Sequence, residues 1–442
     1  MALTRMVLFC LSMVHPAGWI WGLPVFAEGG ASLKWEPWQW QAIPFFMKRL
    51  FKGMKTVLLE LEKAALIEPR AAPLFLPGAA RVAYVAAESL LFDELETRPG
   101  SACWADCEHG HHPFQNGDVL VPGNFAALQE GRCMQVRMDA EIGFCPDKMV
   151  VLRGNPGLLD NRYLLYFLRQ ARMRNFIAVH LQGNPRQFPH TRDFLRQLKI
   201  PLPTLFQQQN WCRQLDLAFA LRQKWAREAK SRDTTRRLFF HNFFGSTGTM
   251  QQRWPALELH HLLDRLIIGS AGLERYSAGR GELLVRPCNL GCNRILLHDT
   301  VHVQLPTSGV RRHSVLAGDV LLCLQAGNLG GTATAPPDMA PACAGKGVAI
   351  LRSTRLEAGF LAGWLSSGTG LGEMERVLKT LPGVDLSAGA VRAMQLHLPP
   401  RAMQQEFVMA DRGLEADCDA AWVRLEQARS RFSQLEHEAF RG

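Results

Sequence analysis

The side chains with the clearest capacity for chemistry are thiols and imidazoles. Cys103, Cys107, His109, His111 and His112 fall within ten positions, with Cys133 and Cys145 further on. Thiolate and imidazole are the preferred ligands of zinc. The order Cys-x3-Cys-x-His-x-His-His matches no standard finger, so ordinary buried or surface side chains are expected and no metal is assigned. Cys288-x3-Cys292 has no second pair nearby. Gly368-Thr369-Gly370-Leu371-Gly372 is rich in glycine but does not sit between a strand and a helix of a βαβ unit, and is read as a flexible loop. The sequence holds no Gly-x4-Gly-Lys-Ser/Thr and no Asn/Asp-Pro-Pro-aromatic methyltransferase motif. Glu228-Ala229-Lys230 mimics the end of a nuclease motif but lies inside a helical run. No catalytic residue and no cofactor is assigned.

Charge points elsewhere. The formal net charge is +10. Between Leu165 and Gly245 there are 15 Lys+Arg against 4 Asp+Glu, a net of +11, whereas the remainder carries 35 against 36. The positive excess therefore sits in one segment of about 80 residues, either as a solvated basic face or as a contact for a polyanion or an acidic protein. The length of 442 residues suggests roughly three domains of about 150 residues. With 47% apolar and 20% charged residues, the chain is neither disordered nor a polytopic membrane protein. Eleven cysteines are too dilute, and odd in number, for a disulfide scaffold.

Met6 to Ala27 carries no charged side chain, follows Arg5, and ends Val25-Phe26-Ala27, as a signal-peptidase site does. His15, Pro16, Gly18, Gly22 and Pro24 interrupt it, and an N-terminal extension is preferred to a secretory signal.

An internal repeat organises the rest. Gly117-Asp118-Val119-Leu120 recurs as Gly318-Asp319-Val320-Leu321. Tyr163-Leu164 followed by Phe167-Leu168 recurs as Phe360-Leu361 followed by Trp364-Leu365. Leu202-Pro203 with Gln208-Gln209 recurs as Leu398-Pro399 with Gln404-Gln405. Pro203 to Phe244 and Pro399 to Phe440 have equal lengths. The four offsets are 201, 197, 196 and 196. Four matches in one order at nearly one offset describe two copies of a unit of about 196 residues.

Each copy ends in a long helix. Residues 205–244 contain neither Gly nor Pro, and 401–440 contain only Gly413. Proline precedes each run and glycine follows it, as helix starts and stops require. Forty helical residues span about 60 Å. Met403, Phe407, Ala410, Leu414, Cys418, Ala421, Leu425, Ala428, Phe432, Leu435 and Ala439 form a seam with steps of three and four, the mark of a coiled coil. Trp211, Leu215, Ala218, Trp225, Ala229, Phe239 and Phe243 supply the facing stripe, which Arg222, Arg232 and Arg236 interrupt. The two helices are expected to pack on each other. Before each helix lies a mixed segment. Its strands are expected at Val82–Ala86, Asp118–Val121, Met149–Leu152, Glu282–Val285, Arg294–Leu297, Thr300–Leu305, Asp319–Leu324 and Val348–Leu351, with helices near Asp160–Phe176 and Glu357–Ser366.

This arrangement resembles the specificity (S) subunit of type I restriction–modification systems. The elements that carry the resemblance are Gly117–Leu120 and Gly318–Leu321, Ile200–Pro203 and Leu396–Pro400, Phe243-Phe244-Gly245 closing the first helix, Arg286-Pro287-Cys288-Asn289-Leu290, and Gly327-Asn328-Leu329-Gly330. They cover about residues 80–442. The resemblance implies an α/β (α+β) fold with two tandem target-recognition domains, each followed by a long helix, the helices pairing as an antiparallel coiled-coil spacer. It divides the chain into an extension of unknown role (1–50), a first recognition domain (51–204), a first spacer helix (205–245), a second recognition domain (246–399) and a second spacer helix (400–442).

The resemblance further implies a non-catalytic cytoplasmic subunit whose partners are double-stranded DNA, methyltransferase (M) subunits and motor-nuclease (R) subunits, with no membrane. Each recognition domain would read half of a bipartite, asymmetric site. Arginine and lysine suit guanine edges, and asparagine and glutamine suit adenine. Candidate DNA contacts are Arg132, Arg137, Arg186 and Arg192 in the first domain, and Arg311, Arg312, Gln325, Asn328 and Lys346 in the second. The spacer seam is represented by Trp211, Leu215, Trp225, Phe239, Phe407, Leu414, Leu425 and Phe432. Two other readings stay open: a fragment of a fused restriction/methylation enzyme, and an exported metal-binding protein.

Overall fold

The computed structural model describes residues 57–69, 77–107, 111–183, 190–297, 299–305, 313–380 and 384–441. The extension 1–50, His109, Arg186, Arg311 and Arg312 lie outside the described residues. The chain divides into two units, 1–161 with 177–208 and 442, and 162–176 with 209–441.

In the first unit, β1 (Ala65–Ile67), β2 (Glu96–Thr97), β3 (Val119–Pro122), β4 (Met134–Val136) and β5 (Met149–Gly154) form a sheet of order β1-β5-β3-β4-β2. A second sheet has the order 100–103, 81–84, 143–146, 111–114. Leu120, Met134 and Val151 from the first sheet pack against Phe114 and Cys145 from the second. All four residues of β3 are buried. That is why its sequence is a continuous apolar run rather than an alternating one.

The second unit contains a sheet of the same plan, with β6 (Arg265–Ile268), β7 (Val320–Cys323), β8 (Thr332–Thr334) and β9 (Val348–Arg352) in the order β6-β9-β7-β8. The period of two sorts its side chains between two cores. Leu321, Cys323, Val348 and Ile350 face strands 282–285 and 342–344. Val320, Leu322, Ala349 and Leu351 face helices and the Phe240–Phe244 segment.

Seven of the eight expected strands overlap observed strands, with ends that differ by one or two residues in all but Glu282–Val285. Arg294–Leu297 does not, because Ile295 makes only an isolated bridge to Leu290. The helix expected over Asp160–Phe176 is two helices, α1 (Asn161–Arg169) and α2 (Ala171–Gly183). The glycine-rich stretch expected to be a flexible loop starts a helix instead. It follows α4 (Ala358–Ser366) and forms the first turns of α5 (Gly368–Thr380). Among its glycines Gly370 serves close packing, since a Cβ there would stand 2.1 Å from the Trp364 carbonyl oxygen.

The long helices are α3 (Leu205–Phe244) and α6 (Arg401–Ala439). Their contacts run in opposite directions along the two chains. Phe219 meets Phe432, Ala229 meets Ala421 and Leu425, and Phe239 stacks on Phe407 at 5.6 Å. Trp225 is half-buried in the same cluster, Leu215 is fully buried, and Trp211 and Leu414 are half-buried. Phe407 is surrounded by Phe239, Phe240, Phe243, Phe244 and Phe360.

The seam differs from expectation at one level. Ala410 is exposed, and Asp411 is buried in its place. The reason is Arg236, which enters the interior and pairs with Asp411 at 2.5 Å. A buried guanidinium needs a buried carboxylate. Arg222 is accommodated differently, lying over the rings of Phe219 and Phe432 at 4.7 and 4.6 Å.

Glu436 on α6 has a packed carboxyl. Burial pushes it up to about 7, against the pull of Arg174, Arg222 and Arg169. Its ordinary value is 4.5, so the folded chain keeps a proton that the unfolded chain releases in between. Stability should fall as pH rises from about 4.5 to about 7 and then level off, by up to about 3 kcal/mol and less where water reaches the carboxylate. Glu436→Gln should flatten that part of the profile in urea denaturation. An unchanged slope would show that another group carries it.

Candidate nucleic-acid interface

The recurring motifs turn out to be joints. Gly117 and Gly318 adopt positive φ, +88° and +81°, which glycine tolerates without strain. The aspartates that follow are buried. Asp118 accepts from the Gln115 amide at 2.7 Å and takes both Arg153 nitrogens at 2.7 Å. Asp319 accepts from the Leu316 amide at 2.7 Å and from Arg352 at 2.6 and 3.0 Å. Each aspartate thus closes a turn and staples it to the adjacent strand, β5 or β9. Hydrogen bonds to Asp118 and Asp319 raise the Arg153 and Arg352 guanidinium groups above their usual value.

The glutamines are the second joint. Gln208 is fully buried, accepts from the Asp160 amide at 2.8 Å, and donates to the Leu158 and Pro203 carbonyls at 2.9 Å. Gln404 accepts from the Glu357 amide at 3.1 Å and donates to the Pro399 carbonyl at 3.0 Å. In both places the start of a long helix is tied to the start of the short helix before it. Aromatic packing repeats the theme, with Tyr163 against Phe440 at 5.0 Å and Phe244 against Phe360 at 5.3 Å.

These joints position the strand ends. Where β3 ends and β5 begins, the Gly123 amide donates to the Lys148 carbonyl at 2.7 Å. Where β7 ends and β9 begins, the Leu324 amide donates to the Gly347 carbonyl at 2.9 Å. Each of these points carries one exposed amide and one exposed lysine: Asn124 with Lys148, and Gln325 with Lys346. Amide and ammonium together can address base edges and phosphates. Gln325 and Lys346 were expected as contacts. Asn124 and Lys148 were not, although the first offset, 201, sets Asn124 against Gln325; Lys148 stands 198 residues before Lys346.

The other candidates are scattered. Arg132 is paired with Glu130 at 2.5 Å, Arg137 with Glu96 at 3.1 Å and Arg192 with Glu68 at 2.5 Å. Arg192 opens the helix 191–197, whose Thr191 hydroxyl donates to the Gly123 carbonyl at 2.8 Å, so it stands near the first tip. Asn328 is half-buried, and its amide nitrogen donates to the Pro287 and Leu290 carbonyls at 2.9 and 3.1 Å. That nitrogen holds the Pro287–Leu290 turn.

The cysteine–histidine stretch is spread through the first unit. Cys107 packs with Val82, Trp104 and Phe144. Cys145 lies in the core beside Phe114, and burial pushes its thiol up to about 12. His112 stands 3.6 Å from both Glu68 and Asp147. Among the described residues no group of three or more His, Cys, Asp or Glu side chains has an arrangement that could hold a metal ion. Cys288 is exposed and Cys292 buried. Within Glu228-Ala229-Lys230, Ala229 is buried between the long helices and Glu228 pairs with Arg232. No helix among the described residues is long and apolar enough to cross a membrane.

No family model matches the sequence, and no curated protein matches it. Several solved structures are similar, among them three type I restriction–modification structures. One comes from work on complex assembly and conformational transition of the type I R-M system. It shares 17% identity over 88% of this chain and 99% of its own, with a TM-score of 0.45. The HsdS subunit from Thermoanaerobacter tengcongensis shares 17% over 87% and 96%, with a TM-score of 0.36. The type I restriction–modification S subunit from M. genitalium shares 13% over 88% and 96%, with a TM-score of 0.45.

Asp319→Ala should leave the Arg352 guanidinium without its carboxylate and the Leu316 turn open, at a cost of about 2–3 kcal/mol in urea denaturation. A change below about 0.5 kcal/mol would remove the staple from the account. Protein purified without added zinc should contain well under one equivalent by elemental analysis, and stoichiometric zinc whose chelation unfolds the chain would overturn that expectation.

Proposed function

We propose that this chain is the sequence-specific DNA-recognition subunit of a type I restriction–modification complex. The observation that carries it is the paired design. The same staple, the same glutamine joint and the same amide–lysine strand end occur twice, each set leading into a long helix. On this reading residues 51–204 and 246–399 are target-recognition domains. Helices 205–245 and 400–442 form an antiparallel coiled-coil spacer, and 1–50 is an extension.

Each domain reads one half of a bipartite, asymmetric duplex site. The helices set the gap and dock methyltransferase subunits, and motor-nuclease subunits join for cleavage. The chain itself is non-catalytic and works in the cytoplasm, where its DNA is. Asn124 and Lys148, with Arg192 and Arg132 nearby in sequence or space, serve the first half-site. Gln325 and Lys346 serve the second, with Arg311 and Arg312. Arg137 and Arg186 remain candidates for the first. The local excess of +11 between Leu165 and Gly245 supplies phosphate attraction.

The test is methylation by the chain with its methyltransferase partner on a library of duplexes. Replacing 246–398 with the corresponding domain of a related S subunit should change one half of the methylated site. Gln325→Ala should relax a position in that same half by about 1–3 kcal/mol, and Asn124→Ala a position in the other half. Lys346→Ala should weaken binding to all sequences alike and lower the slope of log affinity against log salt by about one. If both halves changed on domain replacement, or neither did, the modular reading would be wrong.

A further inference from the structure

Within the second unit, one loop clasps both long helices far from the points where the chain joins them. Residues Cys292, Asn293 and Arg294 form this loop. Its backbone is sewn to β8: the Asn293 amide donates to Thr332 Oγ1, the Arg294 amide to the Thr332 carbonyl, and the Thr334 amide and hydroxyl to Asn293 Oδ1. Asn293 holds a left-handed φ of +50°, which suits asparagine better than most side chains. The loop is therefore a rigid projection of the sheet.

Its outer side meets buried charge. Arg236 of α3 sends one nitrogen toward the carbonyls of Cys292 and Asn293 at 3.4 Å, while its others bind Asp411 and Glu415 of α6. Burial pushes the Arg236 guanidinium down, but Asp411 and Glu415 outweigh it and hold the charge. Arg294 pairs with Asp419 at 3.0 Å and lies over the Trp422 ring at 5.9 Å. The Trp422 indole donates to Asp233 at 3.2 Å, and the Cys292 thiol lies 3.7 Å from the Asp233 carbonyl. Three loop residues thus contact a connected set of side chains on both helices.

Position gives the clasp its leverage. The chain enters the second mixed segment at Gly245 and leaves it at Pro400, each at a helix end. Arg236 and Asp233 lie nine and twelve residues back from Gly245 along α3, about 13–18 Å at roughly 1.5 Å per residue. A body packed on the helices only near the ends where the chain joins them can tilt, and a second attachment this far along opposes the tilt. The clasp is also no product of the duplication. The repeat offset of 196 sets Arg236 against Phe432 and Asp411 against Leu215, both buried and apolar. Packing alone serves there, whereas here charge has been buried.

We infer that Arg236, Asn293 and Arg294 are positioning residues that fix the angle of the second recognition domain on the helix pair, and so the spacing at which the second half-site is read. This rests on the proposed function for its DNA consequence, but its mechanical part stands apart. A shift of about 3.4 Å at the reading surface equals one base-pair step, so loss of angle is loss of gap discrimination.

Two measurements on the full chain test it. Spin labels introduced at Arg227 and Arg280 through unnatural amino acids, leaving the native thiols alone, report the distance between helix and domain. The distribution should be narrow in the parent. It should broaden at least twofold in Arg294→Ala and stay narrow in Arg294→Lys, which keeps the charge on Asp419. Asp419→Ala guards against misfolding, because Asp419 is 59% exposed and its loss opens no core; it should broaden the distribution too. With the methyltransferase partner, both alanine variants should methylate duplexes whose gap is one base pair longer or shorter, with the base preference in each half-site unchanged. Parent-like distance widths in both folded alanine variants would refute the clasp. Absence of sequence-specific methylation by the parent would instead remove the proposed function, and the distance measurement would still decide the clasp.

Discussion

Most of a helix's stability in a folded protein comes from packing an apolar face rather than from propensity, and for α3 and α6 that face is the stripe they share. That constraint governs the second unit. Because the stripe is interrupted by arginines, each arginine must be resolved by a particular neighbour. Arg222 is laid over two phenylalanine rings. Arg236 is drawn inward and matched by Asp411, which displaces Ala410 from the buried face. A helix pair with one buried ion pair has one comfortable register, since any slip leaves a charge buried alone.

The ends of the helices are built to transmit that register. Gln208 and Gln404 are polar side chains placed where no water reaches, and each satisfies the backbone at the start of a short helix. A buried amide so satisfied is costly to move, because every alternative orientation leaves donors and acceptors unpaired. The aromatic cluster around Phe407 fills the space beside one such joint. The sheets that follow are held by a carboxylate–guanidinium staple at the turn, so the strand ends bearing Gln325 with Lys346, and Asn124 with Lys148, are rigid in each unit. Exposed polar groups on a rigid base are what recognition of a duplex asks for, because ordering a mobile side chain on binding costs free energy.

Charge is used in two ways. On the surface, an excess of arginine and lysine is suited to phosphate and is sensitive to salt. In the interior, Arg236, Arg294, Asp233 and Asp411 form a set whose members screen one another from the cost of burial. Burial raises Asp233, while Arg294, the Trp422 indole, Arg237 and Arg236 oppose the rise. Such sets contribute less to net stability than apolar residues of the same volume and more to a single arrangement.

Much of this protein is determined by sequence order alone. The long helices follow from runs of about forty residues with no internal proline and at most one glycine. Most strands follow from apolar runs bounded by turns, and Gly-Asp-Val-Leu and the glutamines stand out because they recur in the same order at nearly the same offset. These are local or periodic signals, and backbone geometry obeys them wherever the chain goes. What only the tertiary structure decided is partnership. Nothing near Asp118 in sequence names Arg153, and nothing near Arg236 names Asp411, 175 residues away. The glycines at 368–372 have the composition of a loop, yet the segment opens a helix in which Gly370 lies too close to the Trp364 carbonyl for a side chain. Asn328 was a candidate reader by residue type, and its amide nitrogen is instead spent on two carbonyls. An offset in the sequence sets Asn124 against Gln325, but it is the hydrogen bond from the Gly123 amide to the Lys148 carbonyl that brings Lys148 beside Asn124. A side chain's role is set by what can reach it, and reach is a property of the folded chain.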